Sequence, residues 1–257
     1  MVAREPPPMT ADVAPIKATP RQRERAARLL AALREAYPDA RCELDYRTPH
    51  ELLIATILSA QATDVSVNKA TPALFKNYPT IQHLADATPE EIEPFIKAIG
   101  LYRNKAKSIH LAARAIVDQF AGQVPRTMPE LLTFRGVARK TANVVLGNAF
   151  HINVGFVVDT HVQRLATRFA LVKPATPIPI IERTLMGLFP QKSWCDASHY
   201  FIFHGRRVCT ARGTGCADHA ICKEFGTACD RRVASLRVSA PKTRARPSTA
   251  GGSSGKV

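Results

Sequence analysis

From Arg21 onward apolar residues recur at helical spacing, and threonine-led turns divide the chain into segments. Ala26, Leu29, Leu30 and Leu33 share a face among arginines and a glutamate, and Pro38 ends that helix. Thr48-Pro-His-Glu51 has the Ser/Thr-x-x-Glu form of a capping box. Leu53, Ile57 and Ala60 follow it on one face, so the helix delivers Ser59, Gln61 and Asp64 to its end and the turn beyond. A third helix opens on the box Thr88-Pro-Glu-Glu91, runs through Ile92, Phe95, Ile96 and Ile99, and stops at Gly100. That leaves Leu101 and Tyr102 on a loop before a helix that turns Ile109, Ala112, Ala113, Ile116 and Phe120 inward.

Thr127-Met-Pro-Glu130 starts a short helix through Leu131, Leu132 and Phe134, which Gly136 ends by taking the left-handed backbone conformation. The next helix carries Lys140. The run from Asn153 to Val158 is β-branched, but a single strand has no partner to pair with, so it is read as an extended connection. Asp159 then sits where an N-cap belongs, ahead of Val162, Leu165 and Phe169. Residues 174–179 are proline-rich and mark a linker. Two helices follow, one with Ile181, Leu185, Leu188 and Phe189, the other after Trp194 with Tyr200, Phe201 and Phe203. These segments predict an all-α fold, and no internal repeat is present.

Composition extends this picture at both ends. Residues 1–20 are proline-rich without amphipathic period and read as a disordered leader, and residues 233–257 read as a disordered basic tail. A formal net charge of +15 on 257 residues points to a polyanionic partner, because Lys and Arg that neutralise phosphates release counterions. The opening residues lack the apolar stretch of a signal peptide and no apolar run is long enough to span a bilayer, so a soluble cytoplasmic protein is expected, with no membrane partner.

Chemistry concentrates in two places. After Gly136 the helix begins with unpaired N–H groups and a positive dipole end, flanked by Arg135, Arg139 and Lys140, a combination that holds a phosphate without reading DNA sequence. On residues alone Lys140 is either a phosphate-binding lysine or an amine nucleophile, and Asp159 either a cap or a carboxylate held rigidly enough to do chemistry. The second place is Cys209, Cys216, Cys222 and Cys229, spaced Cys-x6-Cys-x5-Cys-x6-Cys. In a reducing compartment four clustered thiols hold a metal more readily than they form disulfides, and both tetrahedral zinc and an iron–sulfur cluster fit such ligands. Cys42 and Cys195 stand apart and read as core thiols.

Gly136-Val-Ala-Arg-Lys-Thr-Ala142 followed by Val158-Asp-Thr-His161 resembles the helix-hairpin-helix and catalytic segment of the endonuclease III family, the DNA glycosylases and AP lyases of base excision repair. Ser59-Ala-Gln-Ala-Thr-Asp64, Ile99-Gly-Leu-Tyr-Arg-Asn-Lys-Ala106 and His204-Gly-Arg-Arg-Val-Cys209 resemble further family segments in the family's order, over residues 21–232. Arg135 stands where the hairpin usually has proline, and Ala138 where it has its second glycine, a methyl that hinders close approach to a phosphate. The cysteine spacing also departs from the family's Cys-x6-Cys-x2-Cys-x5-Cys: His219 occupies the third cysteine's place and Phe225 the fourth's.

The resemblance implies two helical lobes with DNA in the cleft between them. One is a six-helix domain over 43–153 carrying the hairpin; the other is an iron–sulfur-cluster lobe built from 21–42 and 154–232. It implies Lys140 as the nucleophile and Asp159 as the catalytic aspartate. It implies Gln61 and Leu101 as the residues that fill space when a nucleotide leaves the stack, and Arg135, Gly136, Val137, Ala138 and Arg139 as the hairpin against the DNA backbone. It implies a [4Fe–4S] cluster on Cys209, Cys216, Cys222 and Cys229, with His219 as a ligand, zinc, or no cluster as alternatives, and with the cluster shaping a basic loop around Arg206, Arg207 and Arg212. The expected activity on duplex DNA, by a monomer, is removal of oxidised or ring-damaged pyrimidines through a Lys140 Schiff base, then cleavage 3′ to the abasic site by β-elimination. The other readings are a monofunctional glycosylase of the same superfamily and a noncatalytic, metal-stapled DNA-binding module.

Overall fold

The computed structural model describes residues 13–212 and 215–227. Among these it contains twelve α-helices and no strand: α1 (Pro20–Ala36), α2 (Pro49–Leu58), α3 (Asp64–Asn77), α4 (Ile81–Asp86), α5 (Pro89–Ile96), α6 (Tyr102–Phe120), α7 (Met128–Leu132), α8 (Arg139–Phe150), α9 (Thr160–Arg168), α10 (Ile178–Leu188), α11 (Trp194–Arg207) and α12 (Ala220–Phe225). The starts are set by side chains. Thr19, Thr48, Thr63, Thr80, Thr88 and Thr127 each accept from a backbone N–H in the first turn of α1, α2, α3, α4, α5 and α7. The box is reciprocal at Thr88–Glu91, whereas Glu51 reaches past Thr48 to the N–H of Arg47 at 2.6 Å.

The buried apolar residues form two cores. The first gathers residues from Leu44 to Leu146 around α2, whose Leu52, Leu53, Ile54, Ala55, Ile57 and Leu58 are all buried, so this helix is enclosed on every side. The second joins Ala26, Leu29, Leu30 and Leu33 of α1 to residues from Phe156 to Phe225, with Phe156, Phe169, Phe189 and Phe201 packed at centroid separations of 5.8–6.1 Å. Each fully buried leucine or phenylalanine contributes roughly 1.5–3 kcal/mol.

Three helices escaped the hydrophobic pattern, the six-residue α12 (Ala220–Phe225) being one. In α3, Val67, Ala70, Leu74 and Phe75 do keep helical spacing, but Pro72 lies inside and Val65 faces solvent; α4 is six residues long, too short for a period to stand out. At the N-terminus, residues 13–19, which composition places in the leader, run along α10. The Ile16 N–H donates to Arg183 O at 2.9 Å, and Arg183 Nε donates to Ala14 O at 2.9 Å. A Cβ on Gly187 would lie 1.8 Å from Ile16 O, so α10 is shaped to receive this segment. Composition missed it because backbone hydrogen bonds, not an apolar stripe, hold it down. Residues 1–12 and the tail lie outside the described residues.

Candidate active site

The hairpin between α7 and α8 is anchored from below. Phe134 and Val137 are buried in the first core, Phe134 edge-on to Phe120 at 5.7 Å. Gly136, with φ +82°, turns the chain where a Cβ would meet Ser108 Cβ at 3.1 Å and Ile57 Cγ2 at 3.6 Å, so both the backbone angle and the space call for glycine. Arg135, Gly136 and Ala138 face solvent. Ala138 is the N-cap of α8 and offers no side-chain acceptor, which leaves the first-turn amides uncapped by it.

From there α8 starts on the first core while its first turn faces the second. Lys140 is exposed and lines a cleft of about 920 Å³. Asp159 lines the same cleft from the start of α9, where its Oδ1 accepts the Val162 N–H at 2.8 Å. The cap reading of Asp159 therefore holds, and the cap fixes the carboxylate against the backbone beside Lys140's cleft. Gln61 enters from the α2–α3 turn, its φ at 56°. The extended connection 151–159, with no strand pairing, spans the two cores and so brings Asp159 opposite α8.

Leu101 is not part of that cleft. It stands on the α5–α6 loop at φ 60° and is 59% exposed. A bulky side chain in the left-handed region costs roughly 1–2 kcal/mol, and exposing leucine forfeits burial as well. The loop is tied to the Gln61 turn by a residue to which the sequence assigned no role: buried Lys105 donates Nζ to Leu58 O, the last residue of α2, at 2.9 Å. Burial pushes its amine below the ordinary lysine range.

Arg139 departs from the expected phosphate contact. Its side chain is 12% exposed, and Nε donates to both carboxylate oxygens of Glu182 on α10 at 2.9 and 2.8 Å. Asn143 Nδ2 donates to the same carboxylate at 3.0 Å. Arg206, expected in a basic loop, instead bridges Glu43 and Asp64, the latter at 2.7 Å, across one side of the cleft. Arg207 stacks over Phe203 at 3.9 Å. Glu182 carried one legible signal, an acid set between Ile181 and Leu185 of an apolar helix face; its partner, 43 residues away, carried none.

The cysteine group lies on the second core, away from this cleft. Cys209, Cys216 and Cys222 are buried with sulfurs within 4.8 Å of one another; Cys229 lies outside the described residues. Cys222 and the guanidinium of Arg168, whose NH1 lies 2.9 Å from Cys209 Sγ, hold the Cys209 thiol well below its ordinary range, and Cys222 is pushed up as the proton holder of the pair. Three converging buried sulfurs, one already biased to thiolate, fit a soft metal centre. His219, His204 and Cys222 also lie within 4.8 Å of one another, so His219 stays within reach of a metal there. His204 is held by the Tyr37 hydroxyl at 2.7 Å and stands 3.2 Å from Cys222 Sγ. Cys42 and Cys195 are half-buried outside this group, raised by burial to about 11 and about 12.

Residues 54–191 match the family model described as the HhH-GPD superfamily base excision DNA repair protein. Endonuclease III of Synechocystis sp. is 54% identical over 197 residues, 77% of this chain and 90% of that one. Endonuclease III of Escherichia coli K12 is 41% identical over 188 residues, 73% and 88% of the two chains. Among solved structures, a non-covalent endonuclease III–DNA complex superposes with TM-score 0.78 at 38% identity, covering 82% of this chain and 98% of that one. A thermostable thymine-DNA glycosylase, 20% identical, shares the fold with TM-score 0.72. No helix among the described residues is long and apolar enough to cross a membrane.

Proposed function

The chain belongs to the endonuclease III family of HhH-GPD base excision repair proteins, and on that premise we propose that Lys140 and Asp159 are its catalytic pair. It is a DNA glycosylase and AP lyase acting on duplex DNA. One observation carries the assignment of residues: Lys140 and Asp159, on different cores and 19 positions apart, line one cleft, and nothing in their local structure requires them to meet.

In this reading the unprotonated Lys140 Nζ attacks C1′ of the damaged nucleoside. The glycosidic bond breaks and the base leaves with a proton; the C1′–O4′ bond then opens, O4′ takes the proton that the nitrogen gives up, and the new C–N bond becomes an imine. Asp159 stabilises positive charge developing on the sugar as the base departs. Loss of a C2′ proton then expels the 3′ phosphate by β-elimination, and water releases Lys140. Gln61 and Leu101 fill the vacated stack from adjoining turns, and the strain and exposure of Leu101 suit a side chain held out for that purpose. Arg135 and the hairpin turn from Gly136 through Val137 to Ala138, which leads into the uncapped first turn of α8, hold a backbone phosphate, with Arg139 bracing the hairpin from within. The substrates are oxidised or ring-damaged pyrimidines, and the enzyme works as a cytoplasmic monomer.

The cysteine group can hold a metal. We assign it a [4Fe–4S] cluster on Cys209, Cys216, Cys222 and Cys229, whose contribution when bound is to staple the second core. The two-lobe division at about residue 153 follows the two cores.

Borohydride reduction on a duplex containing thymine glycol tests the mechanism, with Lys140→Ala alongside and the visible absorbance recorded on the same preparation. A covalent adduct lost in the variant supports the Schiff base. Base release without an adduct leaves a monofunctional glycosylase, and binding without either a noncatalytic relative.

A further inference from the structure

Three chain segments meet at one buried carboxylate. Glu182 of α10, with its side chain 7% exposed, receives Nε of Arg139 on both oxygens and Nδ2 of Asn143 on one. Arg139 and Asn143 belong to α8. The third segment is the connection leading to Asp159: a Cβ on Gly155 would lie 2.3 Å from Glu182 Oε1 and 2.6 Å from Asn143 Nδ2, so the backbone there is pressed against the node.

We propose that Glu182, through Arg139, Asn143 and Gly155, is a positioning residue that sets Lys140 relative to Asp159. Arg139 and Asn143 are four apart and lie on one face of α8, so two anchors one turn apart fix that helix in rotation and in translation along its axis. Lys140, next in sequence to Arg139, leaves the helix about 100° further round. Any rotation of the first turn that released Arg139 would swing Lys140 by the same angle. The same carboxylate bears on Gly155, four residues before Asp159, so one group references both members of the pair. The ion-paired group on the cleft wall, Arg206 with Glu43 and Asp64, is 35% exposed at the arginine and bonds no side chain of α8, so it is screened and does not anchor that helix. This also gives a role to an arginine in the first turn of α8 whose guanidinium lies on Glu182.

The inference rests on Lys140 being the nucleophile, and one experiment separates the two. Single-turnover adduct formation under borohydride is measured on an abasic-site duplex, per active site as titrated with a duplex carrying a tetrahydrofuran abasic analogue, for which Kd is also measured. An absence of adduct with the wild type would sink the lyase reading itself. Given a wild-type adduct, Glu182→Gln, which keeps size and an acceptor but removes the charge, is expected to slow the rate per active site roughly 10- to 100-fold, the order that misplacement of a reacting group by about an ångström costs. Kd should stay within about twofold, and Arg139→Lys, which keeps the charge but not the fork, should fall between. A rate per active site equal to wild type with only a lower Tm would make the node merely structural and overturn the proposal. So would Kd weakening by the same factor as the rate, which would return Arg139 to the phosphate. Should Glu182→Gln not fold, Gly155→Ala displaces the same carboxylate with every charge retained and is read by the same two numbers.

Discussion

Asp159 is asked to do two things, and the structure lets them be pulled apart. As an N-cap its Oδ1 accepts the Val162 N–H at 2.8 Å. Asparagine keeps that oxygen and that hydrogen bond, whereas alanine loses it. Removing such a cap costs about 1 kcal/mol, which in a chain of this size lowers Tm by roughly 2–4 °C. Asparagine forfeits only the charge–dipole contribution, about 0.3–1 kcal/mol, and its Tm should fall by less than alanine's. Activity should not follow Tm. If the carboxylate's charge stabilises the sugar cation, Asp159→Asn and Asp159→Ala should both lose on the order of 10²- to 10³-fold in single-turnover base release, the size of a preorganised electrostatic contribution. Thermal melts and single-turnover cleavage of a thymine glycol duplex on the same preparations give both numbers. Asparagine within about threefold of wild type, with alanine's activity loss matching its Tm loss, would reduce Asp159 to a cap and refute the catalytic assignment.

Leu101→Ala should leave stability within about 0.5 kcal/mol of wild type, because that side chain is 59% exposed, yet slow base release roughly tenfold; an unchanged rate would remove Leu101 from the stack-filling role. Gly187→Ala places a methyl 1.8 Å from Ile16 O and should detach residues 13–19 from α10, read as faster tryptic cleavage after Lys17 at about 1–3 kcal/mol lower stability. Cys42 and Cys195, ordinarily titrating at 9.0, are raised to about 11 and about 12 by burial. Above pH 9 the unfolded chain therefore loses protons that the folded chain keeps, and stability falls as pH rises toward 11, by up to about 1.4 kcal/mol per pH unit for each thiol. Urea midpoints from pH 8 to 10.5 should show that excess slope and lose it in the double alanine variant, with no difference below pH 9.

The parts legible from the residues are those decided locally. Thr48, Thr88 and Thr127 announced their helices because a cap and its recipient amide lie within four positions, and Gly136 announced the hairpin because few other residues take its backbone angle. Leu101 was placed on a loop by the stop at Gly100, and it is exposed there. The parts that stayed hidden are decided at a distance. Nothing near Arg139 indicates that a carboxylate 43 residues away will take its guanidinium, so the local rule, basic residue at a helix N-terminus, pointed to phosphate. The partners of Arg206 were hidden for the same reason, its acids being 142 and 163 residues off. At the cysteines the local spacing was visible, and with it His219, but only folding brings His204 beside Cys222.

The second core takes its first helix from one end of the chain and the rest from the other, which orders events during synthesis. Leu29 and Leu33 leave the ribosome well before Phe156, Phe201 and Phe225, against which their side of the core closes. At bacterial-like elongation of about 5–20 residues per second, the interval from Ala36 to Phe225 is on the order of ten to forty seconds. Throughout it the first core can assemble from a continuous stretch while α1 keeps an uncovered apolar face. The hairpin and Lys140 can therefore be in place before the second core, which carries Asp159, has closed.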